Sequence, residues 1–299
     1  MSPWQNHNLA AIKKRLAVVQ RLQSGVLFEQ QSQYNYVIVR RTSDQLLLCY
    51  RHLHHKVEEI ESRLNVNDPL ALESEYTQAM LLTLAWQPAP QRILLVGLGG
   101  GRLQSVLHHY LEQTLLYTVE LDPMILDVAK RFFGFATDER QHVIIKDGRD
   151  YVRGFPSEAP FDLLLLDAYR VSGVPLHLST REFYDDCRAA LAPNGAIVAN
   201  LHSGTPLYDS ARKTFASAFR YTVAFPLLAG NVIVIGSDTE QLEVKEITDR
   251  VSAVQERYEF DFALPEWATT ASRPAPYRLN APILRDVESL QAPPPSIKH

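Results

Sequence analysis

From Gln91 onward the chain is written in short, wholly apolar runs separated by longer helix-like stretches: Ile93 to Val96, Leu115 to Val119, Val143 to Ile145, Leu163 to Leu166 and Ile197 to Leu201. Apolar runs without alternation suit strands buried on both faces, and repeated strand-helix order implies a parallel sheet covered by helices on both sides. Two further runs, Tyr221 to Phe225 and Val232 to Ile235, are separated only by Pro226 to Asn231. A parallel crossover needs about a dozen residues or more. The last strand must therefore run antiparallel to the one before it if the two are neighbours. The expected fold class is α/β, with a mostly parallel seven-stranded sheet whose last strand is reversed.

The region upstream reads differently. Leu9, Ile12, Leu16, Val19 and Leu22 recur at steps of three and four, with Lys13, Lys14, Arg15 and Arg21 between them. That is an amphipathic helix, expected to pack on its own domain or on a partner subunit, a membrane surface being the less favoured alternative. Residues 33–50 hold two β-rich runs broken by Thr42, Ser43 and Asp44, which suits a hairpin. The expected division is residues 1–72 as a helix plus a small β domain and 73–245 as a nucleoside-binding catalytic domain. Residues 246–299 would be a C-terminal helix and Pro-rich tail.

Composition narrows the partners. Thirty Lys plus Arg against 34 Asp plus Glu give a net charge of −4, so no basic field exists to hold nucleic acid. No run approaches the roughly 18 apolar residues of a membrane helix, and the start lacks the pattern of a secretory signal. A cytoplasmic protein with no membrane partner is expected. Cys49 and Cys187 have no CxxC partner and read as reduced thiols. His52, His54 and His55 lack an acid or Cys at ligand spacing, so no metal is expected.

The chemistry gathers at the ends of the apolar runs. The first leads into Gly97-Leu98-Gly99-Gly100-Gly101-Arg102, a turn whose missing β-carbons let backbone N–H groups and the next helix approach a ligand. The dinucleotide pattern fails at Arg102, and the P-loop pattern lacks its Gly-Lys-Ser/Thr end. Glu120 ends the second run, 19 residues past Gly101, where an acid can accept both hydroxyls of a ribose. Asp122, before Pro123, reads best as a helix N-cap. Asp147 follows the third run and could accept from an adenine amine or simply close a turn. Asp167 closes the fourth run, where open α/β sheets place ligands. An acid ending an apolar strand is costly without a partner or a task. The residues after Asp167 are Ala168, Tyr169 and Arg170 rather than the Pro-Pro-aromatic signature of nucleic-acid amino-methyltransferases.

Taken together, these residues resemble the spermidine synthase (polyamine aminopropyltransferase) family over roughly residues 30 to 240. Ser32-Gln33-Tyr34-Asn35 is similar to the family's Ser/Thr-x-Tyr-Gln, Glu75-Tyr76-Thr77-Gln78 to its Tyr-His-Glu helix, and Val119-Glu120-Leu121-Asp122 to its Val-Glu-Ile-Asp. Gly173, Leu178, Thr180, Glu182, Phe183 and Tyr184 also fall on its pattern after the catalytic loop. The resemblance implies a Rossmann-like class I S-adenosylmethionine-dependent transferase fold behind a β-rich N-terminal domain, a homodimer or larger oligomer, and a donor site for decarboxylated S-adenosylmethionine. On this reading Gly97, Gly99, Gly101 and Asn35 receive the donor, Glu120 holds its ribose and Asp147 its adenine. Asp167 orients a small-molecule acceptor, and Tyr76 and Tyr169 wall the acceptor pocket.

Two positions depart from the resemblance. A second aspartate that helps deprotonate the attacking amine is replaced by Arg170, and a guanidinium cannot serve as a general base. The glycine loop's aspartate for the donor ammonium is also missing, since Gly97 to Ser105 contains no acid and does contain Arg102. Like charges about 4 Å apart repel by about 4 kcal/mol at an effective dielectric of 20. A diamine acceptor is therefore disfavoured, and Arg102 is expected to pair with the carboxylate of intact S-adenosylmethionine. Methyl transfer to a small molecule, or nucleoside binding without turnover, stands as the alternative.

Overall fold

The computed structural model describes residues 1–51, 57–155, 159–168, 174–239, 241–272 and 277–286. Strands β1 (Gly25–Gln31), β2 (Tyr36–Thr42), β3 (Gln45–Arg51) and β4 (Glu58–Asn65) form an antiparallel sheet in sequence order. The expected hairpin is β2–β3, turning at Ser43 with φ +54°. Its two outer strands escaped the sequence pattern for a physical reason. Edge strands with one exposed face carry polar residues, and β4 contains a bulge. Leu48 pairs with Ser62 while Cys49 pairs with Ile60, so Glu61 is the extra residue on β4.

The larger sheet comprises β5 (Arg92–Val96), β6 (Leu115–Glu120), β7 (Gln141–Ile145), β8 (Phe161–Leu166), β9 (Leu191–His202), β10 (Tyr221–Pro226) and β11 (Asn231–Ser237). Their spatial order is β10-β11-β9-β8-β5-β6-β7, and β11 runs antiparallel to both neighbours. The seven apolar runs are these seven strands, and the short Pro226–Asn231 connection imposes the reversal. The chain winds from β5 outward to β6 and β7, then returns to β8 on the other side of β5. That reversal opens a crevice at the carboxyl ends of β5 and β8, where open α/β sheets bind ligands.

Helices α1 (Pro3–Gln20), α2 (Glu75–Met80), α3 (Arg102–Tyr110), α4 (Pro123–Phe132), α5 (Gly148–Arg153), α6 (Arg181–Ala189), α7 (Tyr208–Ala218), α8 (Val244–Tyr258) and α9 (Leu264–Ala268) complete the described structure. α1 starts with a capping box between Ser2 and Gln5 and has Pro3 in its first turn, both helix-start features. Its stripe of Ile12, Leu16 and Val19 is buried, and Arg15 Nε donates to the Gly134 carbonyl at 2.7 Å. The basic helix thus packs on its own chain. No helix among the described residues is long and apolar enough to cross a membrane. Residues 277–286 lie along α6 and α7, where Arg181 N–H donates to Leu284 O at 2.9 Å.

Candidate active site

The turn after β5 is built on close approach. Gly97 has φ +103°, and a β-carbon there would lie 2.3 Å from the carbonyl oxygen of Asp167. Only glycine lets β5 pass so near the end of β8. Gly101 has φ +67°, and its β-carbon would strike the Phe135 ring at 2.6 Å. Between them lies Gly99, and Gly100 N–H donates to Ser62 Oγ of β4 at 2.8 Å. The small sheet therefore forms one wall of the glycine turn, and its contribution is not legible in the turn itself.

Glu120 ends β6 with both carboxylate oxygens occupied by backbone. Oε2 accepts from Leu98 N–H and Oε1 from Asp122 N–H, each at 2.9 Å. These bonds fix the side chain beside the glycine turn while leaving lone pairs for a diol. Burial raises its pKa, and the backbone donors oppose the shift. Asp122 caps α4 by accepting from Met124 N–H at 2.9 Å, as its place before Pro123 predicts. It also accepts from Ser32 Oγ, and Ser32 Oγ in turn takes the N–H groups of Tyr34 and Asn35 at 3.0 and 2.9 Å. Asn35 is thereby held at the β1–β2 turn against the start of α4.

Asp147 performs the turn role that was its plainer reading. It caps α5, accepting from Arg149 N–H at 2.9 Å, and its other oxygen lies 2.9 Å from His177 Nε2. The His177 bond, opposed by burial, holds its pKa at about 2. An adenine amine would share Asp147 with His177, a partner invisible to sequence reading because 30 residues separate them.

Asp167 and Tyr76 are brought together. Asp167 Oδ1 accepts from Asn200 Nδ2 at 3.1 Å, and Asn200 Oδ1 accepts from Asn231 Nδ2 at 2.9 Å. Burial raises the Asp167 pKa to about 6 against the lowering effect of hydrogen bonds from Asn200 and Tyr76. A carboxyl tuned to that value can still accept a proton near neutrality. Tyr169, Arg170 and Gly173 lie outside the described residues, as do His52, His54 and His55.

Sequence reasoning missed Glu61. Burial raises its pKa to about 8, helped by Glu59 and by Asp167 across the crevice. The bulge explains the placement, because an inserted residue re-aims its side chain relative to strict alternation. Tyr50, buried on β3, feels Glu120, Glu61 and Asp122 together. Among the described residues no Arg, Lys or His stands among the groups shifting Glu61 or Asp167.

Arg102, expected to pair with a donor carboxylate, donates to backbone carbonyls. Its guanidinium is 95% buried at the start of α3, with Nη2 donating to Pro69 O and, at 3.4 Å, to Ala71 O. Nε and Nη1 have no hydrogen-bond partner among the described residues. Burial lowers its pKa to about 10 against the fields of Asp68 and Glu73. A side chain in the first turn of a helix tilts back toward the helix N-terminus, here onto the segment joining the two sheets. Arg102 ties that segment to α3.

A glycine turn at the switch point, with acids ending the adjacent strands, defines a Rossmann-like transferase of the S-adenosyl-donor class. The chain belongs to the spermine/spermidine synthase family, whose domain matches residues 74–247. A polyamine aminopropyltransferase of Vibrio vulnificus is 32% identical over 219 residues, covering 71% of this chain and 72% of that protein. Human methyltransferase-like protein 13 in complex with SAH superposes with a TM-score of 0.58 at 26% identity, covering 64% of this chain and 95% of that one. A spermidine synthase in complex with the transition-state analogue AdoDATO gives a TM-score of 0.65 at 20% identity, covering 84% and 85%. That last likeness concerns the fold.

Proposed function

We propose that this protein transfers an aminopropyl group from decarboxylated S-adenosylmethionine to a small-molecule amine. The observation that carries the reading is the arrangement of charge. Arg102 is turned to the Pro69 and Ala71 carbonyls, while Glu120 lies against the glycine turn and the charges acting on Glu61 are the carboxylates Glu59 and Asp167. Such a site suits a cationic donor, and Arg170, which weighs against a diamine acceptor, lies outside the described residues.

In the proposed reaction Glu120 accepts the ribose hydroxyls and Asp147, shared with His177, faces the adenine. Asp167, oriented by Tyr76 and Asn200, takes a proton from the acceptor ammonium. The freed nitrogen lone pair forms the new C–N bond at the carbon attached to sulfur, and the C–S electron pair leaves with sulfur as a neutral thioether. The sulfonium is already a good leaving group, so alignment supplies most of the acceleration.

Methyl transfer from intact S-adenosylmethionine is the second reading, favoured by the match to the methyltransferase-like protein 13 complex. Side-by-side calorimetric titration with the two donors separates them. Tighter binding of the decarboxylated donor supports aminopropyl transfer, and tighter binding of the carboxylated one replaces it with methyl transfer.

A further inference from the structure

We propose that Glu61, delivered by the β4 bulge, binds the ammonium at the end of the donor's aliphatic chain together with Asp167. The inference rests on the nucleoside-donor reading above and assigns a residue that no strand end or glycine motif announces. The donor's chemistry requires such a group, because its sulfonium carries a chain ending in an ammonium and the Gly97–Ser105 turn has no acid to meet it.

Three observations converge. Glu61 is the unpaired residue of the bulge, with Leu48 opposite Ser62 and Cys49 opposite Ile60. Its neighbour Ser62 touches the glycine turn, accepting from Gly100 N–H at 2.8 Å. The carboxyl lies within electrostatic reach of Asp167, and the other groups acting on it or near it are Glu59 on its own strand and Tyr50 on β3. No described cation offsets this like-charged pair, and a bound ammonium would do so in charge-assisted hydrogen bonds. Burial and the neighbouring carboxylates favour a proton on Glu61, which ammonium binding would expel.

The test compares decarboxylated S-adenosylmethionine with 5′-methylthioadenosine, which keeps the nucleoside and lacks the aminopropyl ammonium. Wild-type protein is expected to bind the former more tightly, by on the order of 10- to 100-fold. Glu61→Gln should bring the two within about threefold while leaving methylthioadenosine affinity unchanged. If Glu61→Gln retains the full preference, the assignment is overturned and the nucleoside site stands. If wild-type protein binds neither compound, the donor reading falls and this inference with it. Should Glu61→Gln fail to fold, titrations of wild type in buffers of different ionisation enthalpy decide the matter. Greater proton release with the decarboxylated donor than with methylthioadenosine supports the pair, and equal release with both ligands overturns it.

Discussion

Two polar junctions join the N-terminal segment to the parallel sheet, and they are built on opposite principles. Where α1 meets α3, Asn8 Nδ2 lies 3.2 Å from His108 Nδ1 and Asn8 Oδ1 lies 3.1 Å from His109 Nδ1. His108 Nε2 lies 3.0 Å from Asp138 Oδ2. Each group there meets a complementary one. Where β4 meets the glycine turn, Glu61 feels Asp167 with no described cation among the groups acting on either. The first junction stabilises the fold as it stands. The second sets carboxylates within reach of one another at a cost in stability, a pattern that marks candidate functional sites, and on the proposed reading a bound cation would offset that cost.

The comparison breaks most severely at Gly97. Gly97→Ala places a methyl 2.3 Å from the Asp167 carbonyl oxygen, so the β5–β8 crevice must deform. Nucleoside binding should be lost outright by calorimetry, with a lowered Tm. Asp167→Asn should keep the Asn200 and Tyr76 geometry and lower kcat by roughly 10²- to 10⁴-fold, the usual worth of a general base. In the wild type, kcat/KM should rise with pH through about 6, and a profile without that limb would remove Asp167 as the base.

The two junctions should also respond oppositely to pH. Burial lowers the pKa of His108 and His109 to about 4 from 6.5. Their contribution is complete above pH 6.5 and is lost as pH falls from 6.5 toward 4, so Tm should drop across that window. Glu61 has the reverse sign, since burial lifts its folded pKa to about 8 from the ordinary 4.5. Its cost to stability grows as pH rises from 4.5 to 8, and Glu61→Gln should raise Tm most above pH 8. The smallest effect on function is expected from Arg102→Met. It should lower Tm by loosening the Pro69–Ala71 segment while leaving the ratio of affinities for the two donors unchanged, and an altered ratio would return Arg102 to the site.

Much of this architecture is local in origin and was therefore legible. Wholly apolar runs state that a strand is buried on both faces, and six residues from Pro226 to Asn231 leave no choice but reversal. Gly97, Glu120 and Asp167 were singled out because strand ends are where such sheets bind, and the structure places them there. β4 and Glu61 were not, because a bulge breaks the period-two pattern on which strand reading depends. The bonds of Arg102 to the Pro69 and Ala71 carbonyls were not legible, because sign and position in a motif say nothing of which way a long side chain turns.

The sequence by itself determined the sheet, its switch point and the acids at its edge, since each follows from hydrophobic periodicity, chain length or the conformational freedom of glycine. Only the tertiary structure decided which charges share the crevice. Glu61 reaches it from 106 residues before Asp167, and Arg102, inside the motif, is drawn away by the Pro69 and Ala71 carbonyls. Electrostatic interactions depend on distance and burial, and neither is written along the chain.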